Sequence, residues 1–207
     1  MEQSTGGRAN EPGIEWHLRT FAALLRASPH NLLSARGLEE LEERHLPESL
    51  AFSQSLPAGP RLLDIGSGGG LPGIVIAAAR PDLEVHLLDA TRKKTDFLVH
   101  AVTELGLTVT VHHGRAEELA TGSLASAFDL VTARAVAPLD RLATWAAPFL
   151  NVGGQLHAIK GGRWSDELAE AELSLGRLGL AVRSTPAEAE AARVDGAPLV
   201  LVLERTR

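Results

Sequence analysis

The sequence contains no cysteine and no tyrosine among its 207 residues. The lack of cysteine excludes a disulfide framework, a zinc site with thiolate ligands and any mechanism that uses a cysteine nucleophile. No apolar run approaches the ~20 residues that a membrane-spanning helix needs, and no basic stretch followed by an apolar one is found near Met1. We therefore expect a cytoplasmic protein without a membrane segment.

The composition is that of a soluble globular protein, with 44% hydrophobic and 22% charged residues. At ~100–200 residues per domain, this length predicts one hydrophobic core, with at most a short appendage. The formal net charge is −6. Because an acidic protein has no general attraction to nucleic acid, any such partner must be recognised through local charge and shape.

The chain changes character twice along its length. Residues 1–13 are polar and glycine-rich and are predicted to form a disordered tail. Residues 14–60 are predicted to form an N-terminal helical appendage, because apolar residues recur there at the spacing of one helix face. In this appendage, a helix over Leu38–Leu46 is expected to stop at Pro47. Residues 61–207 are predicted to form the main domain.

Short apolar runs alternate with helical segments throughout this main domain. The alternation predicts an α/β fold with a doubly wound, mainly parallel sheet of seven strands and helices on both faces. The last connection suits a hairpin, so the last strand is expected to be antiparallel. The predicted strands are Arg61–Ile65, Glu84–Leu88, Thr108–His112, Phe128–Ala133, Gln155–Lys160, Leu180–Ser184 and Leu199–Leu203, and helices are expected to begin near Leu71, Thr91, Arg115, Leu139 and Trp164.

A glycine-rich loop follows the first predicted strand. The strand ends near Asp64, and the chain then contains Gly66, Gly68 and Gly70 before the helix expected near Leu71. Glycine allows positive φ angles and lets a ligand lie against the main chain. In open parallel sheets, ligands bind at this end of the strands. The loop therefore predicts a site for a nucleotide-like ligand.

The spacing within this loop indicates which nucleotide it binds. A dinucleotide-binding loop requires a third glycine where this chain has Leu71. An acid such as Asp64 suits the cationic sulfonium and amino groups of S-adenosyl-L-methionine, whereas it would repel a pyrophosphate. Asp89 directly follows the second predicted strand, 25 residues after Asp64, close to the ~20-residue offset of a ribose-binding carboxylate. The alternative is a solvated glycine turn beside a helix-capping aspartate.

The third predicted strand is followed by Ala116 and Glu117. This is the place where such a fold covers the adenine ring. Ala116 is small enough to admit the face of the ring, and Glu117 or the adjacent backbone can accept a hydrogen bond from the exocyclic amine. The alternative is an ordinary helix start, because acidic residues are favoured in the first turn of a helix.

The segment after the fourth predicted strand limits the kinds of methyl acceptor that the protein can use. It lacks the Asn/Asp-Pro-Pro-aromatic stretch of methyltransferases that act on exocyclic amines. Two kinds of methyl acceptor remain possible. One is an atom that is already nucleophilic, such as a ring nitrogen, and the other is a hydroxyl assisted by a base.

Arg134 can bind a carboxylate, a phosphate or the O6 and N7 edge of guanine. Lys160 is expected on the same rim, the alternative being a surface lysine. No pair of histidines has a chelating spacing, so we predict no metal.

Several motifs together identify a family. The chain resembles the bacterial ribosomal RNA small-subunit methyltransferase G family, also called glucose-inhibited division protein B. The motifs are Asn31-Leu32, Glu43-Arg44-His45-Leu46, Ser49-Leu50, Asp64–Ile74, Arg80-Pro81, Leu88-Asp89, Arg92-Lys93-Lys94, Phe97-Leu98, Gly114–Glu117, Arg134–Leu139 and Lys160-Gly161. The resemblance implies a Rossmann-like class I methyltransferase domain over 61–207. It also implies transfer of a methyl group from S-adenosyl-L-methionine to N7 of a single guanosine in 16S ribosomal RNA.

The resemblance also implies roles for individual residues. Its implied cofactor contacts are Gly66, Leu71, Ala116, Glu117 and Arg134, with Asp89 a ribose partner. Together with the loop residues, the candidate cofactor-binding set is Asp64, Gly66, Gly68, Leu71, Asp89, Ala116, Glu117 and Arg134. No general base is assigned, because guanine N7 carries a free lone pair. Arg134 and Lys160 are the candidates for orienting the target nucleotide or the cofactor.

The candidate RNA-binding residues are basic side chains near the expected cleft. They are Arg44, His45, Arg92, Lys93, Lys94, Lys160 and Arg163. Because the net charge is acidic, we expect the 16S ribosomal RNA to be recognised within a 30S-like ribonucleoprotein particle by a monomeric enzyme. Two departures from the family pattern, Glu48 in place of Asp and His30 in place of Tyr, concern substrate docking more than cofactor binding.

Three alternatives remain open from the residues themselves. A small-molecule S-adenosyl-L-methionine-dependent methyltransferase is favoured by the acidic charge and disfavoured by the basic rim that Arg134 and Lys160 form. A catalytically inactive methyltransferase-fold binding module is disfavoured by the intact glycine loop with both of its acids. A dehydrogenase is the third, and addition of NAD would test it.

Overall fold

The computed structural model describes residues 13–59, 61–189 and 197–207. Within them, seven strands form one sheet with the order β3-β2-β1-β4-β5-β7-β6. The strands are β1 (Arg61–Ile65), β2 (Glu84–Asp89), β3 (Val109–His113), β4 (Phe128–Arg134), β5 (Leu150–Lys160), β6 (Leu180–Ser184) and β7 (Leu199–Arg205). Of the predicted tail, 1–13, only Gly13 is described, immediately before the first helix, and residues 1–12 lie outside the described residues.

The helices connect these strands and precede the first of them. They are α1 (Ile14–Ala27), α2 (Ala35–Glu39), α3 (Leu46–Ser55), α4 (Gly73–Ala79), α5 (Arg92–Glu104), α6 (Ala116–Leu119), α7 (Leu139–Ala146), α8 (Trp164–Leu178) and α9 (Pro186–Ala189). A π-helical turn over Leu41–His45 joins α2 to α3, and short 3-10 turns occupy Gly122–Leu124 and Ala147–Phe149. In the described part of the chain, no helix is long and apolar enough to cross a membrane.

The strand pairing confirms the predicted fold class. Strands β1 to β5 pair in parallel, and β7 runs antiparallel to both β5 and β6. From β1 the chain passes outward to β2 and β3 and then returns to β4 on the other side of β1. The connections after β1 and β4 therefore leave the sheet in opposite directions, which opens a crevice above the carboxyl ends of these two strands.

Alternate residues of the buried strands supply two hydrophobic clusters, one on each face of the sheet. Leu62 of β1 packs in a cluster that also contains Phe21 of α1, Phe52 of α3 and residues of α4 and α5. Leu63 packs in the opposite cluster, with residues of α7 and α8. The N-terminal helices thus share their apolar cluster with the sheet. The domain boundaries at 14–60 and 61–207 stay a prediction.

The structure differs from the sequence prediction at two helix ends. The helix expected to stop at Pro47 does not do so, because Pro47 lies in the first turn of α3. A proline in that position removes no intrahelical hydrogen bond, since the first N–H groups of a helix have no partner there. After the glycine loop, α4 begins at Gly73, with Pro72 as its N-cap residue.

Candidate functional site

The glycine loop lies at the carboxyl end of β1 and is fixed by hydrogen bonds to β2. Gly66 N and Ser67 N donate to Leu88 O at 2.8 and 3.0 Å. Gly66 and Gly68 have φ angles of +68° and +55°, which glycine adopts without strain. A Cβ atom at Gly66 would lie only 2.8 Å from Val136 Cγ2. The loop therefore needs glycine at this position for both its conformation and its packing.

The carboxylate of Asp89 is buried beside this loop. Its Oδ2 accepts from Gly68 N at 3.0 Å, and its Oδ1 accepts from Thr91 N at 2.8 Å. Lys94 Nζ lies 3.8 Å from Oδ2. Two backbone donors and one ammonium group thus fix the orientation of a negative charge at the end of β2, where hydroxyl groups of a ligand can also donate to it.

A cavity of about 260 Å³ opens at this point. It brings together four of the candidate cofactor residues, Gly66, Asp89, Ala116 and Glu117, as well as the basic residue Lys94. The other residues that line it are Ile65, Leu88, Ala90, Gly114, Arg115, Ala135, Val136 and Trp145. Sequence analysis missed Val136 and Trp145. Trp145 could have been considered from the sequence, because it is an aromatic residue of the helix that follows β4, one of the strands at whose end the ligand was expected.

Asp64, Gly68 and Leu71 do not line this cavity. Asp64 is buried beneath the loop, and its Oδ1 accepts from Thr132 Oγ1 at 2.8 Å. Among the described residues, no donor makes a hydrogen bond of normal geometry to its Oδ2. Burial raises the pKa of Asp64 to about 6, although hydrogen bonds from Thr132 and Ser67 oppose the increase. We therefore interpret Asp64 as a residue that stabilises the glycine loop rather than one that contacts a ligand.

A second cavity, of about 620 Å³, adjoins the first and shares Ala135 with it. Its volume is within the ~300–1,000 Å³ of a typical ligand site. The side chains at its wall include two candidates from the sequence, Arg134 and Lys160. The full lining is Arg44, Glu48, Arg134, Ala135, Ala137, Ile159, Lys160, Gly161, Gly162, Glu167, Ala197, Pro198 and Leu199.

Arg134 ends β4 and is held by the π-helical turn. Its Nη2 donates to His45 Nδ1 at 2.8 Å, and its Nη1 lies 3.9 Å from Glu48 Oε2. Burial and the charge of Arg134 lower the pKa of His45. A neutral His45 with its proton on Nε2 is the form that can accept from Arg134. His45, a candidate RNA-binding residue, and Glu48, a departure from the family pattern, therefore both contact Arg134 and orient it.

Lys160 ends β5, and its ammonium group is engaged. Lys160 Nζ donates to Glu167 Oε2 at 2.7 Å and to Ala137 O at 3.0 Å. Glu167 Oε2 also accepts from Leu139 N at 3.0 Å. Sequence analysis missed Glu167, because an acidic residue in the first turn of a helix is expected for local reasons alone. Direct contact of Lys160 with RNA stays a prediction.

The remaining basic candidates are distributed over several surfaces. Arg44 lines the larger cavity and pairs with Glu40 at 2.7 Å and with Glu48 at 2.9 Å. Arg92, Lys93 and Arg163 line neither of the two cavities. In the described ranges, no group of three or more His, Asp or Glu side chains is arranged to hold a metal ion.

Several known proteins are similar to this chain in sequence or in fold. The family described as rRNA small subunit methyltransferase G matches residues 17–194. Ribosomal RNA small subunit methyltransferase G of Mycolicibacterium smegmatis is 45% identical over 158 residues, covering 76% of this chain and 61% of that protein. The protein of the same name from Sorangium cellulosum is 50% identical over 151 residues, covering 71% of this chain and 63% of that protein.

This chain thus spans less than two thirds of the length of these curated relatives. Among solved structures, mitomycin 7-O-methyltransferase has the same fold, with a TM-score of 0.61 at 17% identity. That similarity covers 93% of this chain and 66% of the other. At this level of identity, the similarity concerns the fold alone.

Proposed function

Because the chain belongs to the rRNA small subunit methyltransferase G family, we propose that it methylates N7 of a single guanosine in 16S ribosomal RNA. The methyl donor is S-adenosyl-L-methionine. The observation that carries this proposal is the pair of adjoining cavities at the carboxyl ends of the parallel strands, which share Ala135. A methyl transfer needs two such sites side by side, one for the donor and one for the acceptor.

The smaller cavity fits the adenosine part of the donor. The Asp89 carboxylate accepts hydrogen bonds from ribose hydroxyls, while Ala116 leaves room for the adenine ring and Glu117 accepts from its amine. Gly66 supports this assignment, because it lines the cavity and a Cβ atom there would clash with Val136. Asp64 and Gly68 do not line this cavity and instead fix the shape of the loop, through hydrogen bonds with Thr132 Oγ1 and Asp89 Oδ2, and Leu71 is buried within the loop.

Bound S-adenosyl-L-methionine supplies an electrophilic methyl group on a positively charged sulfur. Guanine N7 has a free lone pair, so no proton has to be removed before it attacks. The work of the protein is therefore alignment and electrostatic stabilisation rather than general-base catalysis. We assign to Arg134 the orientation of the target nucleotide or of the donor's carboxylate, because its guanidinium lines the larger cavity and stands at the end of β4.

The target is proposed to be ribosomal RNA in a 30S-like particle. The net charge of −6 gives the protein no general affinity for RNA. Most basic side chains near the site are already paired: Arg44 with Glu40 and Glu48, and Lys160 with Glu167. A structured particle can supply shape and protein contacts in place of a basic surface, and the target base would reach the cavity splayed out from its loop.

The proposed function is tested with 30S subunits purified from cells that lack this modification. These are incubated with the protein and radiolabelled S-adenosyl-L-methionine, and the labelled nucleotide is mapped by mass spectrometry. We expect one methyl group per particle, at N7 of one guanosine. Binding of the donor without transfer would indicate an inactive binding module. Transfer only to small molecules of a cell extract would indicate the small-molecule enzyme.

A further inference from the structure

The loop between β4 and α7 forms the wall between the two cavities. Ala135 lines both of them, and Val136 packs against Gly66 of the glycine loop. Ala135 has a φ angle of +52°, which is unfavourable for a residue with a Cβ atom. A loop in such a conformation persists only when its surroundings hold it there.

One ion pair holds this loop by two backbone groups. Lys160 Nζ donates to Ala137 O at 3.0 Å, and Glu167 Oε2 accepts from Leu139 N at 3.0 Å. The two side chains join each other at 2.7 Å. Lys160 comes from the end of β5 and Glu167 from the first turn of α8, so the pair ties the loop to both elements.

The burial of this pair argues for a specific purpose. The side chain of Lys160 is only 7% exposed and that of Glu167 is 24% exposed. A buried ion pair seldom adds net stability, since desolvation of the two charges offsets their attraction. Here both charges are directed at the main chain of the loop, and two of the three donor positions of the Lys160 ammonium are occupied.

We propose that Lys160 and Glu167 are positioning residues that set the loop over 135–138, and through it Arg134 and Val136, for methyl transfer. This inference deepens the proposed function and rests on it for its rate measurements. In this role the two residues act through the loop rather than by contact with the donor or the guanosine. Because transfer rates are far more sensitive to alignment than affinities are, loss of the pair lowers the rate of transfer much more than donor binding.

The first test compares Lys160→Met and Glu167→Gln with Glu172→Gln. The control neutralises an exposed glutamate of the same helix that lines neither cavity. We expect the single-turnover rate on 30S subunits, at saturating donor, to fall 10- to 100-fold in the first two variants and to stay unchanged in the control. The donor Kd, measured by calorimetry, should change less than threefold. An unchanged rate, or a loss confined to donor affinity, overturns the proposal.

The second test does not depend on activity. Amide hydrogen exchange at Leu139 N–H should become at least tenfold faster in Lys160→Met/Glu167→Leu, a double variant that leaves no buried charge unpaired. Unchanged exchange at Leu139 overturns the positioning role, whether or not the wild type methylates 30S subunits. If the wild type does not methylate 30S subunits but the Leu139 amide exchanges faster in the double variant, only the proposed function is overturned.

Discussion

Asp64 and Asp89 lie at the carboxyl ends of neighbouring strands, but their environments differ. Asp89 accepts from two backbone N–H groups and faces the smaller cavity, whereas Asp64 is buried below the glycine loop with a single hydroxyl donor on Oδ1. Burial raises the pKa of Asp64, which has no donor on Oδ2, whereas donors on both oxygens of Asp89 fix the orientation of its carboxylate beside the cavity. We therefore expect Asp89 to act on a ligand and Asp64 to act on stability.

Replacement of Asp89 by Ala should weaken donor binding. The proposed hydrogen bonds from ribose hydroxyls to a carboxylate are lost, and bonds to charged groups contribute about 1.5–3 kcal/mol. We expect the Kd for S-adenosyl-L-methionine to rise at least tenfold in calorimetry, which corresponds to about 1.4 kcal/mol. Asp96→Ala removes an exposed aspartate that pairs with Arg92 and should leave the Kd unchanged. Equal Kd values for both folded variants would contradict the assignment.

The pKa of Asp64 makes stability depend on pH. Its pKa of about 6 in the folded protein is above the ordinary value of 3.8, so the folded state holds the proton more tightly than the unfolded chain. The contribution of Asp64 to stability is present below pH ~4 and is lost as the pH rises through ~6. The difference between these two pKa values corresponds to about 3 kcal/mol.

Urea unfolding of the wild type and Asp64→Asn at several pH values measures this contribution. Asn keeps an acceptor for Thr132 but has no proton to lose. Relative to the wild type, the free energy of unfolding of the variant should rise by up to about 3 kcal/mol between pH 4 and pH 7.5. A difference that does not vary with pH would show that Asp64 titrates normally.

Arg134 is the residue that we expect to affect turnover most directly. Arg134→Ala should lower the rate of methylation of 30S subunits at least tenfold, equivalent to about 1.4 kcal/mol of transition-state stabilisation. Arg26→Ala is the matched control, because Arg26 is exposed and pairs with Glu42 away from both cavities. A rate of Arg134→Ala equal to that of the control would remove Arg134 from the mechanism.

At the scale of elements, two glycines in helices should respond to alanine in opposite ways. A Cβ atom at Gly73 in α4 would lie 2.3 Å from Leu87 Cδ2 and 2.7 Å from Asp64 Oδ2, whereas one at Gly176 in α8 meets nothing within 4 Å. In urea unfolding, we expect Gly73→Ala to destabilise by about 1–3 kcal/mol and Gly176→Ala to stabilise by about 0.5–1 kcal/mol. Equal effects would mean that α4 can move away from β1 and β2.

The elements differ in how well the sequence predicts them. The bounds of β1 and β6 are as predicted, because short apolar runs between turn residues determine them locally. The π-helical turn over Leu41–His45 was not predicted. It faces Arg134, which is 89 residues away from His45 in the chain, and no local pattern contains that contact.

The candidate site shows the same division. That Gly66, Asp89 and Ala116 lie beside one cavity was predictable because the fold gives each a fixed place after a strand, although Gly68 and Leu71 do not line that cavity. The pair Lys160–Glu167 was not, because its purpose depends on the path of the loop after β4, which only the structure gives. Long-range polar contacts to the main chain leave no periodic signal in the sequence.

At the scale of the whole molecule, the charge distribution decides how RNA is recognised. The protein is acidic overall, and Arg44, Arg92 and Lys160 already have carboxylate partners. These ion pairs reduce the number of side chains that can displace counterions from RNA phosphates, and each phosphate contact contributes ~0.7–0.9 to the magnitude of the slope of log K against log salt. We expect a slope of magnitude below ~3 for binding to 30S subunits, measured from 50 to 300 mM KCl at constant Mg²⁺.

The same reasoning predicts at least tenfold slower methylation of a short naked hairpin than of the 30S particle, because charge alone cannot hold the hairpin. The variant Glu40→Gln should instead increase the contribution of charge to RNA binding. Glu40 pairs with both Arg36 and Arg44, so its neutralisation frees positive charge at the larger cavity and should steepen the salt dependence. A steep slope in the wild type, or equal rates on hairpin and particle, would mean that the protein recognises RNA by charge despite its acidity.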